Sequence, residues 1–259
     1  MEISKSLLVI ANWKMNPRTR EEVRALVADL KKNIRVTGAT EVVIAPPFVY
    51  LDEVKKGIGA GKLLLGAQNV SGEKLGAFTG EVSISMLESM GVTHVIVGHS
   101  ERRAQGETDA DVEKKVGGIL RTQLTAVICV GERERDTHGK YFGLVETQVR
   151  AALKGVPGSK LPHVAIAYEP IWAISTASTT AHAATPEDAH EMVLFIRKVL
   201  TDLYGRSNAE KVRILYGGSV DIKNIEPLVA HSGAQGFLVG GASLRPADFS
   251  LLVKVAQSR

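Results

Sequence analysis

The sequence predicts an α/β fold: a closed (β/α)8 barrel of eight parallel strands, with the active site at the carboxyl ends of those strands. Three observations predict it. Eight short β-branched or leucine-rich runs recur along the 259 residues, each followed by a longer segment of helical period. The runs are apolar almost throughout rather than alternating, as in parallel strands buried on both faces. Polar residues cluster just after the carboxyl end of nearly every run, and a barrel gathers those ends on one face, whereas an open sheet strings them along an edge. No G-x-G-x-x-G follows the first run, where a dinucleotide-binding sheet would need it.

The apolar runs are residues 7–11, 42–45, 63–67, 94–97, 126–130, 164–167, 213–215 and 236–239. Between them, residues 20–33 place Val23, Leu26, Val27 and Leu30 on one helical stripe, and 109–120, 186–203 and 246–255 read the same way. Thr185-Pro186 supplies an N-cap residue and a proline at the first helical position of the third of these. No linker or break in composition divides the chain, so residues 1–259 are expected to form one domain.

Composition narrows the function. Hydrophobic residues make up 44% of the chain, enough for a sizeable core. The net charge of +4 is spread rather than massed, with Arg102-Arg103 and Lys114-Lys115 the densest basic spots, so a nucleic-acid partner is not expected. Cys129 is the single cysteine, which excludes an intrachain disulfide and fits a reducing compartment. The first apolar run is too short for a signal segment and nothing approaches a transmembrane span, so a cytoplasmic protein without a membrane partner is expected.

Five strand ends carry candidate chemistry. Asn12-Trp13-Lys14 follows the first run; a lysine there can hold an anion and stabilise developing negative charge, or be an ordinary solvated loop residue. Gly98-His99-Ser100-Glu101-Arg102-Arg103 reads as a turn entering a helix. A histidine at a helix N-terminus can receive a backbone N–H on one ring nitrogen and donate from the other, although many histidines at such turns are structural. Arg102 and Arg103 read as scaffold ion pairs, with Glu107 the expected partner. Tyr168-Glu169-Pro170 sets a carboxylate between an apolar strand and an apolar loop, the setting of a general base or of a buried structural glutamate. Tyr216-Gly217-Gly218-Ser219 and Gly240-Gly241-Ala242-Ser243 are glycine-rich turns after the last two runs, where backbone N–H groups can cradle a phosphate. Metal, P-loop and serine-hydrolase motifs (H-E-x-x-H, C-x-x-C, G-x-x-x-x-G-K-[ST], G-x-S-x-G) are all missing. Cys129 is expected to fill core volume, and Trp13 and Trp172 to be packing and hinge residues.

Taken in order, these motifs closely resemble the triosephosphate isomerase family over essentially the whole chain. The resemblance implies a TIM barrel that interconverts dihydroxyacetone phosphate and D-glyceraldehyde 3-phosphate through an enediolate, in glycolysis and gluconeogenesis, with neither metal nor organic cofactor. It implies Glu169 as the base, neutral His99 as the group that polarises the carbonyl, Lys14 and Asn12 as stabilisers of the enediolate, and Glu101 as a positioning group. Asn12 and Lys14, with the backbone N–H groups of Ser175, Ser219, Gly240 and Gly241, would bind the phosphorylated triose. It also implies a homodimer in which residues 68–81 enter the neighbouring subunit and Thr79 braces Asn12 of the partner subunit. Leu75 and Phe78 in that loop need cover from somewhere.

Three stretches depart from the family pattern. One residue fewer stands between Arg103 and Gly106, a stretch that helps receive the neighbour's loop. The loop 132–139 reads one residue short. The segment 175–185, where the family carries a Gly-Thr-Gly-Lys tip, lacks it and is about four residues longer; its His182 is expected to be exposed and dispensable. The rival reading is a barrel that binds phosphosugars without turning them over, against which stands the presence of Lys14, His99 and Glu169 together.

Overall fold

The computed structural model describes residues 6–173 and 184–258. All eight apolar runs form strands: β1 (Leu8–Asn12), β2 (Glu41–Ala45), β3 (Leu63–Ala67), β4 (Val92–Val97), β5 (Thr125–Val130), β6 (Val164–Tyr168), β7 (Arg213–Tyr216) and β8 (Gly236–Val239). Each pairs in parallel with its sequence neighbour, and β1 closes on β8, so the sheet is a barrel in the order 1 to 8. Several strands run one or two residues past their apolar run, into Asn12, Tyr168 and Tyr216 at the carboxyl ends. Ladder bonds are made by the backbone, so pairing outlasts the hydrophobic pattern.

The helices are α1 (Arg20–Asn33), α2 (Leu51–Ile58), α3 (Ile84–Ser89), α4 (Ser100–Ala104), α5 (Asp109–Ile119), α6 (Lys140–Ala152), α7 (Pro186–Tyr204), α8 (Arg206–Ala209), α9 (Ile225–His231) and α10 (Pro246–Ala256). The stripe on α1 packs as its spacing predicts, with Val23, Leu26, Val27 and Leu30 buried. The α7 start is set by Thr185, whose hydroxyl accepts the Asp188 N–H while the Asp188 carboxylate accepts from Thr185 in return, with Pro186 at the first position. No helix among the described residues is long and apolar enough to cross a membrane.

Period-two alternation divides each strand between two cores. Leu8, Ile10, Val43, Ala45, Ile96, Val127, Cys129, Ala165, Ala167, Leu215 and Leu238 fill the barrel interior, while Val9, Ala11, Val42, Ile44 and their counterparts face the helices. Both faces are dry, which is why the strands read as unbroken apolar runs. Cys129 lies in the inner core, fully buried; burial, reinforced by the Glu169 charge, pushes its thiol well above the ordinary range. At the amino ends, Glu41 lies between His94 Nε2 at 3.1 Å and Arg213 Nη1 at 3.0 Å. Burial lowers the His94 imidazole and favours its neutral form, so of the two only Arg213 brings a charge to Glu41, and neither nitrogen completes a hydrogen bond of good geometry.

Candidate active site

At the carboxyl face the strand ends enclose a cavity of about 270 Å³ lined by Asn12, Lys14, His99, Glu169, the turn from Gly217 to Asp221, Gly240 to Ala242, Leu238 and Arg245. Five separate strand ends thus converge on one space, with a carboxylate, an imidazole and an ammonium among its walls.

Lys14 is the one non-glycine residue with positive φ, at 52°, among the described residues. That conformation is disfavoured for a residue with a Cβ and persists only when its surroundings impose it. Two bonds do so. The Lys14 N–H donates to Asn12 Oδ1 at 3.0 Å, and the Lys14 carbonyl accepts from Gln68 Nε2 at 2.8 Å. Gln68 Nε2 also donates to the Ala45 carbonyl at 2.8 Å, anchoring this turn to the end of β2. The turn delivers Lys14 Nζ to Glu101 Oε1 at 2.7 Å.

His99 caps α4: its Nδ1 accepts the Glu101 N–H at 3.2 Å. A ring nitrogen that accepts carries no proton, so the hydrogen of the neutral ring sits on Nε2. Nε2 faces Glu169 Oε1 at 3.1 Å. The other Glu169 oxygen accepts the Ser100 N–H at 2.9 Å. The carboxylate is 2% exposed, so the α4 N-terminus and His99 satisfy a group that burial would otherwise make costly.

The backbone of Glu169 is fixed across the β5–β6 seam. Its N–H donates to the Val130 carbonyl at 2.8 Å, and the Ile171 N–H donates to the Glu132 carbonyl at 2.9 Å. The Glu132 carboxylate accepts from the Tyr168 hydroxyl at 2.8 Å and from Trp172 Nε1 at 2.7 Å. Burial, with the Glu132 charge behind it, raises the Tyr168 phenol above its ordinary range and keeps it a donor.

On the opposite wall the turn after β7 is sterically required to be glycine at Gly218. A Cβ at Gly218 would stand 2.3 Å from the Tyr216 hydroxyl. Asn224 Nδ2 donates to the Ser219 carbonyl at 2.8 Å, and the Ser219 hydroxyl donates to the Ala173 carbonyl at 3.1 Å. Gly241 opens a short 3-10 turn (Gly241–Leu244), and Gly240 lies against the Lys14 side chain.

Nearly every expected site residue is thereby brought together: Asn12, Lys14, His99 and Glu169 line the cavity, Ser219, Gly240 and Gly241 face them, and Glu101 stands behind Lys14 and His99. Ser175 and His182, with the whole of 174–183, lie outside the described residues. One expected pairing is corrected. Arg103 pairs with Asp109 at 2.6 Å rather than with Glu107, because Glu107 turns inward to the Gly98 N–H and to Lys115. Sequence reasoning placed Gln68 only in the dimer loop and gave Glu132 and Arg135 no role; each contacts the site through partners distant in the chain.

The triosephosphate isomerase family model matches residues 7–256. Among similar proteins of that name, the one from Caldanaerobacter subterraneus subsp. tengcongensis is 47% identical over 248 residues, covering 95% of this chain and 98% of its own. That from Carboxydothermus hydrogenoformans is 44% identical over 248 residues (95% and 97%), and that from Clostridium beijerinckii 41% over 251 (96% and 99%).

Proposed function

This chain belongs to the triosephosphate isomerase family, and we propose that residues 1–259 form one barrel domain that interconverts dihydroxyacetone phosphate and D-glyceraldehyde 3-phosphate in glycolysis and gluconeogenesis. The observation that carries this reading is the convergence of Glu169, His99 and Lys14 on one cavity whose far wall is two glycine turns. A general base, a hydrogen-bond donor and a cation around a phosphate-sized cradle are what an enediolate reaction needs. Nothing observed favours a barrel that binds phosphosugars without turnover, which would have no use for a buried base.

In this reading the glycine turns, through the backbone N–H groups of Ser219, Gly240 and Gly241, hold the phosphate, and Lys14 offsets part of its charge. Glu169 takes a proton from the carbon bearing the hydroxyl. The released electron pair becomes the carbon–carbon double bond, and the carbonyl oxygen takes the negative charge. His99 Nε2–H donates to that oxygen and moves a proton between the two oxygens, with Asn12 and Lys14 stabilising the charge. Glu169 then returns its proton to the neighbouring carbon, so atoms and electrons balance without a redox partner. Glu169 Oε2 accepts the Ser100 N–H and Oε1 lies 3.1 Å from His99 Nε2, so substrate competes with these contacts as it recruits the carboxylate.

The same reading makes the enzyme cytoplasmic and a homodimer built on residues 68–81. In the single chain Leu75 is 83% exposed, Phe78 45% and Met15 92%. In this reading a second copy covers these exposed apolar side chains, Leu75 and Phe78 on the loop 68–81 and Met15 on the loop after β1.

The test is a coupled isomerisation assay on purified wild type and Glu169→Asp. Wild type should turn over. The aspartate keeps a base but withdraws it by one methylene, so kcat should fall about 10²–10⁴-fold with KM near normal. An aspartate variant with unchanged kcat removes Glu169 from the role.

A further inference from the structure

Arg135 lies outside the cavity, on the loop after β5 that reads one residue short of the family pattern, and the reaction described above gives it no task. Yet its side chain is held by five hydrogen bonds. Its Nη1 donates to Asp188 Oδ1 at 2.8 Å and to Glu191 Oε2 at 3.1 Å; its Nη2 donates to the Tyr168 hydroxyl and the Asp188 carbonyl, each at 3.3 Å; its Nε donates to Glu132 Oε1 at 3.3 Å. The guanidinium also lies 5.2 Å from the Trp172 ring centroid and 4.9 Å from that of Tyr141. One planar group therefore touches the chain on both sides of residues 174–183: Trp172 before them, and the Asp188 that closes the Thr185 capping box after them.

The chemistry of Glu132 gives this contact its consequence. Its carboxylate is about 1% exposed and its Oε2 has no hydrogen-bond partner. Among the described residues, Arg135 is the cation in contact with it. A buried carboxylate deprived of its counter-charge leaves its geometry or its ionised state. Glu132 grips Tyr168 and Trp172 through one oxygen, and its carbonyl receives the Ile171 N–H, so it holds the residues on either side of Glu169.

We propose that Arg135 is a positioning residue for the base: by neutralising Glu132 and tying Trp172 to the start of α7, it fixes the strand end that aims Glu169. This rests on Glu169 being the base of the isomerase reaction. A point charge on a flexible stem satisfies Glu132 or Asp188, while a guanidinium satisfies both at once and stacks on Trp172, so lysine is a partial substitute.

The experiment uses Arg135→Gln and Arg135→Lys in protein labelled with 5-fluorotryptophan. The chain holds two tryptophans, Trp13 and Trp172, so fluorine NMR gives two resonances, assigned with Trp172→Phe. In Arg135→Gln the Trp172 resonance is expected to shift while that of Trp13 stays in place. Its kcat should fall about 10–10²-fold, the scale of a small misplacement of a reacting group, with KM little changed. Arg135→Lys should be intermediate in both readouts. The proposal is overturned if the glutamine variant keeps kcat within about twofold of wild type. It is equally overturned if both resonances move together, since that is general loosening of the fold. Wild-type turnover tests the isomerase reading separately. Should it be absent, an unmoved Trp172 resonance would still refute the grip of Arg135 on this segment.

Discussion

Gly131→Ala offers a severe test of how the base is placed. Gly131 follows β5, and a Cβ there would stand 1.8 Å from the Glu169 carbonyl oxygen and 2.7 Å from its carbon. Ordinary non-bonded contact requires a retreat of about 1.5 Å. Gly131 has little room to retreat. Its N–H donates to Gln148 Oε1 at 2.8 Å and its carbonyl accepts from Gln148 Nε2 at 3.3 Å, inside the protein. The displacement therefore falls on Glu169, at the cost of its bond to Val130. The Gly131 backbone is not in the left-handed region, so the methyl acts by contact and not by strain of its own dihedrals. Overpacking of this kind costs about 1–3 kcal/mol of stability. A base moved by about 1 Å loses about 10²-fold in kcat. The glycine turns after β7 and β8 are untouched, so KM should stay within about threefold of wild type. Steady-state kinetics with urea unfolding on the same preparation separate the two effects. A folded alanine variant with near wild-type kcat would show that the strand 5–6 seam does not set the position of Glu169.

Lys14→Met should fold and lose nearly all turnover, with no rescue by added zinc or magnesium; a coupled assay with near wild-type kcat would end its electrostatic role. Charged residues in place of Ala77 and Phe78 should give monomers of lower activity, and a wild-type monomer by sedimentation at micromolar concentration would refute the dimer. Glu41 has its carboxyl lowered to about 2 from 4.5, first by its contact with His94 and then, against burial, by Arg213. A depressed carboxyl stabilises the fold above pH 4.5 and ceases to do so as the pH falls towards 2. Glu41 is 37% exposed, so screening leaves about 1–2 kcal/mol of that stabilisation. Urea unfolding should show Glu41→Gln less stable by that amount at pH 7, with the gap narrowing towards pH 2; a gap independent of pH would refute this.

The barrel was legible because its strands are buried on both faces and its helices on one, and burial writes a period into the chain. The caps were legible for a related reason: Thr185-Pro186 and the turn at His99 act within four residues of themselves. What could not be read locally was pairing between polar groups. Glu107 read as a partner for the arginine pair, yet it faces inward to Gly98 and Lys115, leaving Arg103 to Asp109. Gln68 reads as one more polar residue after a strand. Its support of the strained Lys14 spans 54 residues and exists only once β2 and β3 lie beside β1.

The same limit explains why the residues that line the cavity were easier to find than those that hold them in place. Asn12, Lys14, His99 and Glu169 stand at strand ends, where the architecture itself advertises function. None of the cavity's described lining residues comes from the loop after β5. That loop nevertheless acts on the base three times over: Gly131 sets how near the strand ends approach, Glu132 holds Tyr168 before Glu169 and Ile171 and Trp172 after it, and Arg135 ties that grip to α7. A substitution there leaves the phosphate cradle intact and changes where the carboxylate stands. Its cost belongs to kcat, since proton transfer is sensitive to tenths of an ångström while phosphate binding on the far wall is not. In the proposed reaction the phosphate cradle is thus built mainly on β7 and β8 and the aim of the base on β5 and β6, the two meeting where the Gly217 N–H donates to the Tyr168 carbonyl and the Ser219 hydroxyl to the Ala173 carbonyl.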